Sequence, residues 1–232
     1  CKLVLGFEWL ESLLIGAVIS STDAASVFSV LRSKKLNLRY GTASILELES
    51  GSNDPWAYML TVIILSVMKG GATAGGFVVS LLAQVFFGVF FGALISLGAV
   101  YLIKRVRFDA AGFDAIFVTA IAILSYALPS AVGGNGYLSC YIVGIVLGNT
   151  KISGKTALVH FFDGITGFTQ ILLFFLLGLL AFPSQMPSII LPAAAIALFL
   201  TFVARPAAVT VIMKPFGAKW KQIALISCAG LR

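Results

Sequence analysis

Residues 47–54 read Glu-Leu-Glu-Ser-Gly-Ser-Asn-Asp, with Pro55 and Trp56 next. Glu47, Glu49 and Asp54 supply carboxylates, Ser50 and Ser52 hydroxyls, and Asn53 an amide, at the head of an apolar run that reaches Val67. Ionisable groups are expensive in hydrocarbon and normally face a bundle interior or a water-filled path. With helix entry near Ser44, Asp54 lies about 15 Å deep at 1.5 Å per residue, close to the middle of a hydrocarbon core roughly 30 Å thick. A carboxylate at that depth, with an amide beside it and hydroxyls one turn back, suits a partly dehydrated monovalent cation and a proton. The alternative is a capped helix entry with a few buried polar groups; against it, Glu49 and Asp54 both lie beyond any cap.

Two other stretches carry charge inside apolar surroundings. Positions 19–26 read Ile-Ser-Ser-Thr-Asp-Ala-Ala-Ser, which sets Asp23 well inside an apolar span behind Ser20, Ser21 and Thr22. Ser, Thr and Asp offer the backbone local hydrogen bonds that compete with helix. A helix interrupted here would expose carbonyl oxygens and half-helix ends at the midplane, as ion sites of secondary transporters do. An unbroken helix with Asp23 bonded to Thr22 or a neighbour is the other reading. Arg205 stands about nine residues from the basic end of its own segment, roughly 13 Å in. An arginine at a helix centre costs about 2.5–3.5 kcal/mol on insertion scales, so it needs an anion, and Asp23, Glu49 and Asp54 are the acids available. Pro206 follows it and disturbs the local carbonyl ladder.

The elements that must position these groups are membrane helices. The chain has 232 residues, 59% hydrophobic and 11% charged, which no ordinary soluble domain matches. Eight apolar segments are expected, at 10–31, 44–68, 76–103, 113–129, 137–149, 160–181, 188–213 and 220–232. Twelve of the sixteen basic residues fall in the loops 32–40, 104–109, 149–159 and 214–221, while the loops at 69–75, 130–136 and 182–187 hold only Lys69. The positive-inside rule puts the four basic loops in the cytoplasm. The net charge of +7 therefore speaks for membrane orientation and not for nucleic acid. Gly88, Gly92 and Gly98 suggest close helix packing, Asn135 a turn, and His160 and Asp163 the cytoplasmic start of the sixth segment. Cys1, Cys140 and Cys228 show no metal spacing and read as packing residues. Cys1 and the short last segment suggest an internal piece of a longer transporter, about seven full helices and the start of an eighth.

In order and spacing these motifs resemble the monovalent cation:proton antiporters. They are Thr22-Asp23 in a mid-membrane break, Glu49-Ser-Gly-Ser-Asn53-Asp54-Pro, and Gly136-Tyr-Leu with Tyr141-Ile-Val-Gly-Ile-Val-Leu-Gly148-Asn149. Phe161-Phe-Asp-Gly, Leu176-Leu-Gly-Leu-Leu-Ala-Phe-Pro183, Arg205-Pro and Gly230-Leu-Arg232 follow. The Asn-Asp pair is that of the bacterial sodium/proton and potassium/proton exchangers, and the Glu-Ser-Gly-Ser-Asn-Asp-Pro form is closest to the potassium/proton branch. Trp56 departs from the smaller residue expected after the proline.

The resemblance implies an all-α polytopic fold of thirteen helices in two inverted repeats with a discontinuous helix, a homodimer, and an elevator-like core movement. This chain would hold helices five to eleven and the start of twelve. It also implies that Asp54 binds cation and proton in competition, with Asn53, Ser50 and the Thr22 carbonyl around it. Asp23 would compensate the half-helix ends, Glu49 and Arg205 would bridge two helices, and Arg232 would be a further structural support. Asn53 sits where electrogenic relatives carry a second acid, which implies one cation for one proton. No catalytic chemistry and no cofactor are implied: the cargo is K+ or Na+ and H+. A cation channel and a non-transporting membrane scaffold are the alternatives, though a channel needs neither an Arg205–Glu49 pair nor a broken helix, and a scaffold has no use for a desolvated Asp54.

Overall fold

The structure, a computed structural model, describes residues 6–22, 38–70, 74–105, 112–152 and 154–229. Among these the regular elements are all helical: α1 (Trp9–Ser20), α2 (Thr42–Met68), α3 (Ala74–Arg105), α4 (Phe113–Ala131), α5 (Gly136–Asn149), α6 (Lys155–Leu180), α7 (Met186–Phe199), α8 (Arg205–Met213) and α9 (Trp220–Ala229), with short turns between some of them. Four stretches are long and apolar enough to cross a membrane: Gly75–Arg105, Phe113–Ala131, Lys155–Leu180 and Pro183–Phe216. The chain divides into two compact units, one of residues 1–73 and 185–232, the other of residues 74–184.

In the first unit, α1 starts from a reciprocal capping pair in which the Glu8 N–H donates to Glu11 Oε2 at 3.1 Å. It stops at Ser20, because Ser21 turns extended (φ −68°, ψ 126°) and the Ser20 hydroxyl diverts to the Ala17 carbonyl at 2.7 Å. The helix expected over 10–31 is therefore interrupted at Ser21; residues 23–37, Asp23 among them, lie outside the described residues.

α2 follows two left-handed residues, Tyr40 (φ 61°) and Gly41 (φ 66°). Thr42, Leu46, Ala57 and Ile64 are buried along it, and at about 100° per residue these fall on one face that also carries Ser50 and Asn53. α1 packs against α2. Pro55 lies inside α2 and removes one ladder donor, that for the Gly51 carbonyl. Leu46 of α2 joins Val209 of α8 and Ile223 and Ile226 of α9 in an apolar core, with Leu38 and Met213 against it.

α7 runs into α8 through a π-helical turn, Leu200–Ala204, where the Arg205 N–H donates to the Leu200 carbonyl five residues back. The cause is Pro206: in an α ladder its ring would meet the carbonyl of Phe202, and it has no N–H to offer. One wide turn absorbs both defects.

In the second unit, α3 lies closest to α5. A Cβ on Gly88 would stand 2.9 Å from the Asn135 carbonyl, and one on Gly92 3.2 Å from Ser139 Cα. Gly98 faces open space, so it takes no part in this close approach. Ile95, Ala99, Ile121, Val143 and Leu147 form the core of α3, α4 and α5. Asn135 is the turn residue expected: its Oδ1 accepts from Leu138 N–H at 3.1 Å and caps α5. α6 begins at Lys155, behind the left-handed Gly154 (φ 70°), and not near residue 160. Lys155 and Thr156 are polar, so an apolar window passes over them although they are helical. His160 and Asp163 consequently lie inside α6, both exposed, rather than at its entry.

Candidate cation site

The interrupted end of α1 meets the polar head of α2. Ser21 Oγ donates a short hydrogen bond to Asp54 Oδ1. Ser50 Oγ donates to the Thr22 carbonyl at 3.0 Å, and Asn53 Nδ2 donates to the Thr22 hydroxyl. Three side chains within about one turn of one helix thus hold two residues of non-helical backbone. That backbone belongs to a helix C-terminus, where the last carbonyls lack intrahelical donors and the helix carries about half a negative charge. A carboxylate placed beside it would be repelled unless a cation or a proton joins them.

The donors and acceptors left over fit that requirement. Asn53 Oδ1 is buried and has no hydrogen-bond partner among the described residues. Its amide nitrogen is already committed to Thr22, so the oxygen is the free end. A carboxylate, an amide oxygen, a hydroxyl and a main-chain carbonyl are all hard oxygen ligands, the class that hard, weakly polarising cations take.

Glu49 points elsewhere. Its Oε1 lies 2.6 Å from Arg205 Nη1, with the Glu49 and Arg205 side chains 28% and 15% exposed. Glu49 is about 140° around α2 from Asp54 at 100° per residue, so one helix serves both partners. Arg205 Nε and Nη2 are buried without a partner among the described residues. A cavity of about 510 Å³ lies between the end of α1 and the α7–α8 helix, lined among others by Ser20, Ser21, Thr22, Thr201 and Arg205.

Of the residues expected at the site, Thr22, Ser50, Asn53 and Asp54 come together, and Glu49 and Arg205 pair beside them. Asp23 and Arg232 lie outside the described residues. Among the described residues the Asp54 side chain is exposed, and Ser21 is bonded to its carboxylate. Ser21 itself was missed as an acid partner. The run Ser20-Ser21-Thr22 signals a break, but which hydroxyl turns toward α2 depends on where the helix stops. Trp56 is 48% exposed, so its bulk leans outward.

The model of the sodium/hydrogen exchanger transmembrane family matches residues 1–232. The chain belongs to that family. It is 38% identical over 230 residues to the K(+)/H(+) antiporter NhaP of Alkalimonas amylolytica, covering 99% of this chain and 40% of the relative. It is 40% identical over 236 residues to the K(+)/H(+) antiporter NhaP2 of Shewanella oneidensis, covering 97% of this chain and 39% of the relative. The sodium proton antiporter MjNhaP1 from Methanocaldococcus jannaschii shares the fold, with a TM-score of 0.84 at 22% identity over 97% of this chain and 58% of the other. The exchanger chain thus spans about two fifths of the curated relatives' length, and its helical fold is that of the matched antiporter structure.

Proposed function

We propose that this chain carries the ion site of a secondary antiporter that exchanges a monovalent cation, K+ or Na+, for a proton across the cell membrane. The observation that carries the reading is the meeting of an interrupted helix end with Asn53–Asp54, where a buried amide oxygen has no donor among the described residues. The relatives named as K(+)/H(+) antiporters support it, with potassium the favoured cargo.

Asp54 is the group that exchange turns on. Paired with the carbonyl end of α1, its ionised and empty form is the unfavourable one. The carboxylate therefore takes either a proton or a cation, and the two compete. Asn53 Oδ1, Ser50 Oγ and the Thr22 carbonyl replace part of the cation's hydration shell, while Ser21 orients the carboxylate. Asp23 compensates the half-helix ends, and Arg232 is a further supporting residue. Glu49 and Arg205 form a bridge between α2 and α8 that stays out of the ion path. Only the neutralised states cross readily, which makes the process exchange rather than conduction. The complete protein works as a homodimer in the inner membrane with the loops 32–40, 104–109, 149–159 and 214–221 in the cytoplasm. Its partners are the cation, the proton and the surrounding lipid.

The test is cation-driven pH recovery in vesicles holding the full-length protein, with K+ or Na+ added against an imposed pH gradient. Asp54→Asn is expected to abolish recovery while membrane insertion and yield are kept. Recovery at the wild-type rate in Asp54→Asn would remove Asp54 from the mechanism.

A further inference from the structure

The turn between α8 and α9 has features that ion exchange does not use. The apolar run of α7–α8 ends at Met213, and Lys214, Lys219 and Lys221 follow within eight residues. From Gly164 to Arg232 the sequence contains no Asp or Glu, and among the described residues none of these lysines makes an ion pair. Large aromatics stand out of the same turn: Phe216 is 83% exposed and Trp220 64%. Lys214 Nζ sits 4.6 Å over the Trp220 ring. Lys219 Nζ sits 4.4 Å over the Tyr40 ring and donates to its hydroxyl at 2.9 Å. An ammonium has three donors, so Lys219 keeps two after that bond. Exposed aromatics among lysines, where an apolar span leaves hydrocarbon, match the headgroup level of a bilayer.

We infer that the Lys214–Lys221 turn, together with Tyr40, seats the headgroup of an anionic phospholipid. The lysines meet the phosphate, Phe216 and Trp220 sink toward the acyl chains, and the charge is complementary because the turn has no acid of its own. The seat also reaches the ion-site helix. Gln222 Nε2 donates to the Tyr40 carbonyl at 3.3 Å, and Tyr40 holds a left-handed φ of 61° immediately before α2. A non-glycine residue in that region is strained unless its surroundings hold it. A lipid that fixes Lys219 therefore helps hold the entrance of α2.

The experiment is thermal unfolding of the detergent-purified full-length protein, titrated with phosphatidylglycerol against phosphatidylcholine. Wild type is expected to gain stability with phosphatidylglycerol only. Each lysine near an anionic surface is worth about 1 kcal/mol, so Lys214→Gln/Lys219→Gln/Lys221→Gln should weaken the apparent affinity on the order of 100-fold. Lys151→Gln/Lys155→Gln, in another basic loop, should leave it unchanged. If the triple variant does not fold, Lys221→Gln alone is expected to cost roughly 5-fold. The inference is overturned if the lysine variants respond like wild type, if the Lys151/Lys155 control loses as much, or if inorganic phosphate reproduces the stabilisation. Because the readout is stability, it stands or falls apart from the role of Asp54.

Discussion

At the scale of single residues, Arg205 and Glu49 are the sharpest case. A guanidinium that uses one nitrogen on a carboxylate at 2.6 Å and leaves two others without a partner among the described residues depends heavily on that one acid. Removing one member of a buried pair typically costs about 3–5 kcal/mol, since the survivor is left alone; the partial exposure of Glu49 points to the lower end. Glu49→Gln and Arg205→Ala should each lower the yield of monodisperse full-length protein and its unfolding midpoint. The charge-swapped double variant, Glu49→Arg with Arg205→Glu, should recover part of the loss. Wild-type stability in Arg205→Ala, or a swap that rescues nothing while single changes move only cation affinity, would put Arg205 in the ion path instead. That the arginine needs an acid is legible from depth alone, as is the choice among Asp23, Glu49 and Asp54. Which acid it meets is settled only by the way α8 lies against α2.

At the scale of elements, hydropathy marks where helices exist better than where they start. All eight apolar segments contain helix in their described parts. The break after Ser20 follows from a run of residues that compete with the ladder. The early start of α6 and the wide turn at Leu200–Ala204 leave no periodicity signal, since one depends on polar helix formers and the other on a single extra residue. Glycine roles also need the third dimension. Gly88 and Gly92 are four apart and share a face, while Gly98 is about 240° further round at 100° per residue. Gly136 is the tightest instance: a Cβ there would come within 2.6 Å of both the Tyr126 carbonyl and Ser130 Oγ. Gly136→Ala should destabilise the protein by about 1–3 kcal/mol through overpacking, read as a lowered unfolding midpoint. Gly98→Ala, with nothing within 4 Å, serves as the control and should not lower it. An unchanged midpoint in Gly136→Ala would mean that the α4–α5 turn yields.

At the scale of the whole molecule, the question is how much charge moves per cycle. Asn53 is neutral, its nitrogen is bound to Thr22 and its oxygen is buried, so among the described residues Asp54 is the carboxylate that the proposed exchange has to neutralise. Exchange of one cation for one proton should then be indifferent to membrane potential. Rates in vesicles clamped at several potentials are expected to coincide. A charge crossing the full field is worth about 2.3 kcal/mol per 100 mV, so a net charge per cycle would be plain as a steep dependence. The sequence declares Asn53 beside Asp54; it does not declare that Ser21 holds the carboxylate, because that bond joins residues 33 positions apart. The wide turn ahead of Arg205 has a consequence for the molecule as a lineage. A wide turn takes up one residue more than a regular turn, so the helix before it and the helix after it keep their phase. Without that residue the ladder would close regularly and bring the Pro206 ring back against a carbonyl. What Leu200–Ala204 must preserve is therefore its count, for as long as Pro206 stays. Substitutions among its apolar residues are tolerable drift, whereas a single-codon deletion sets the turn against its own proline.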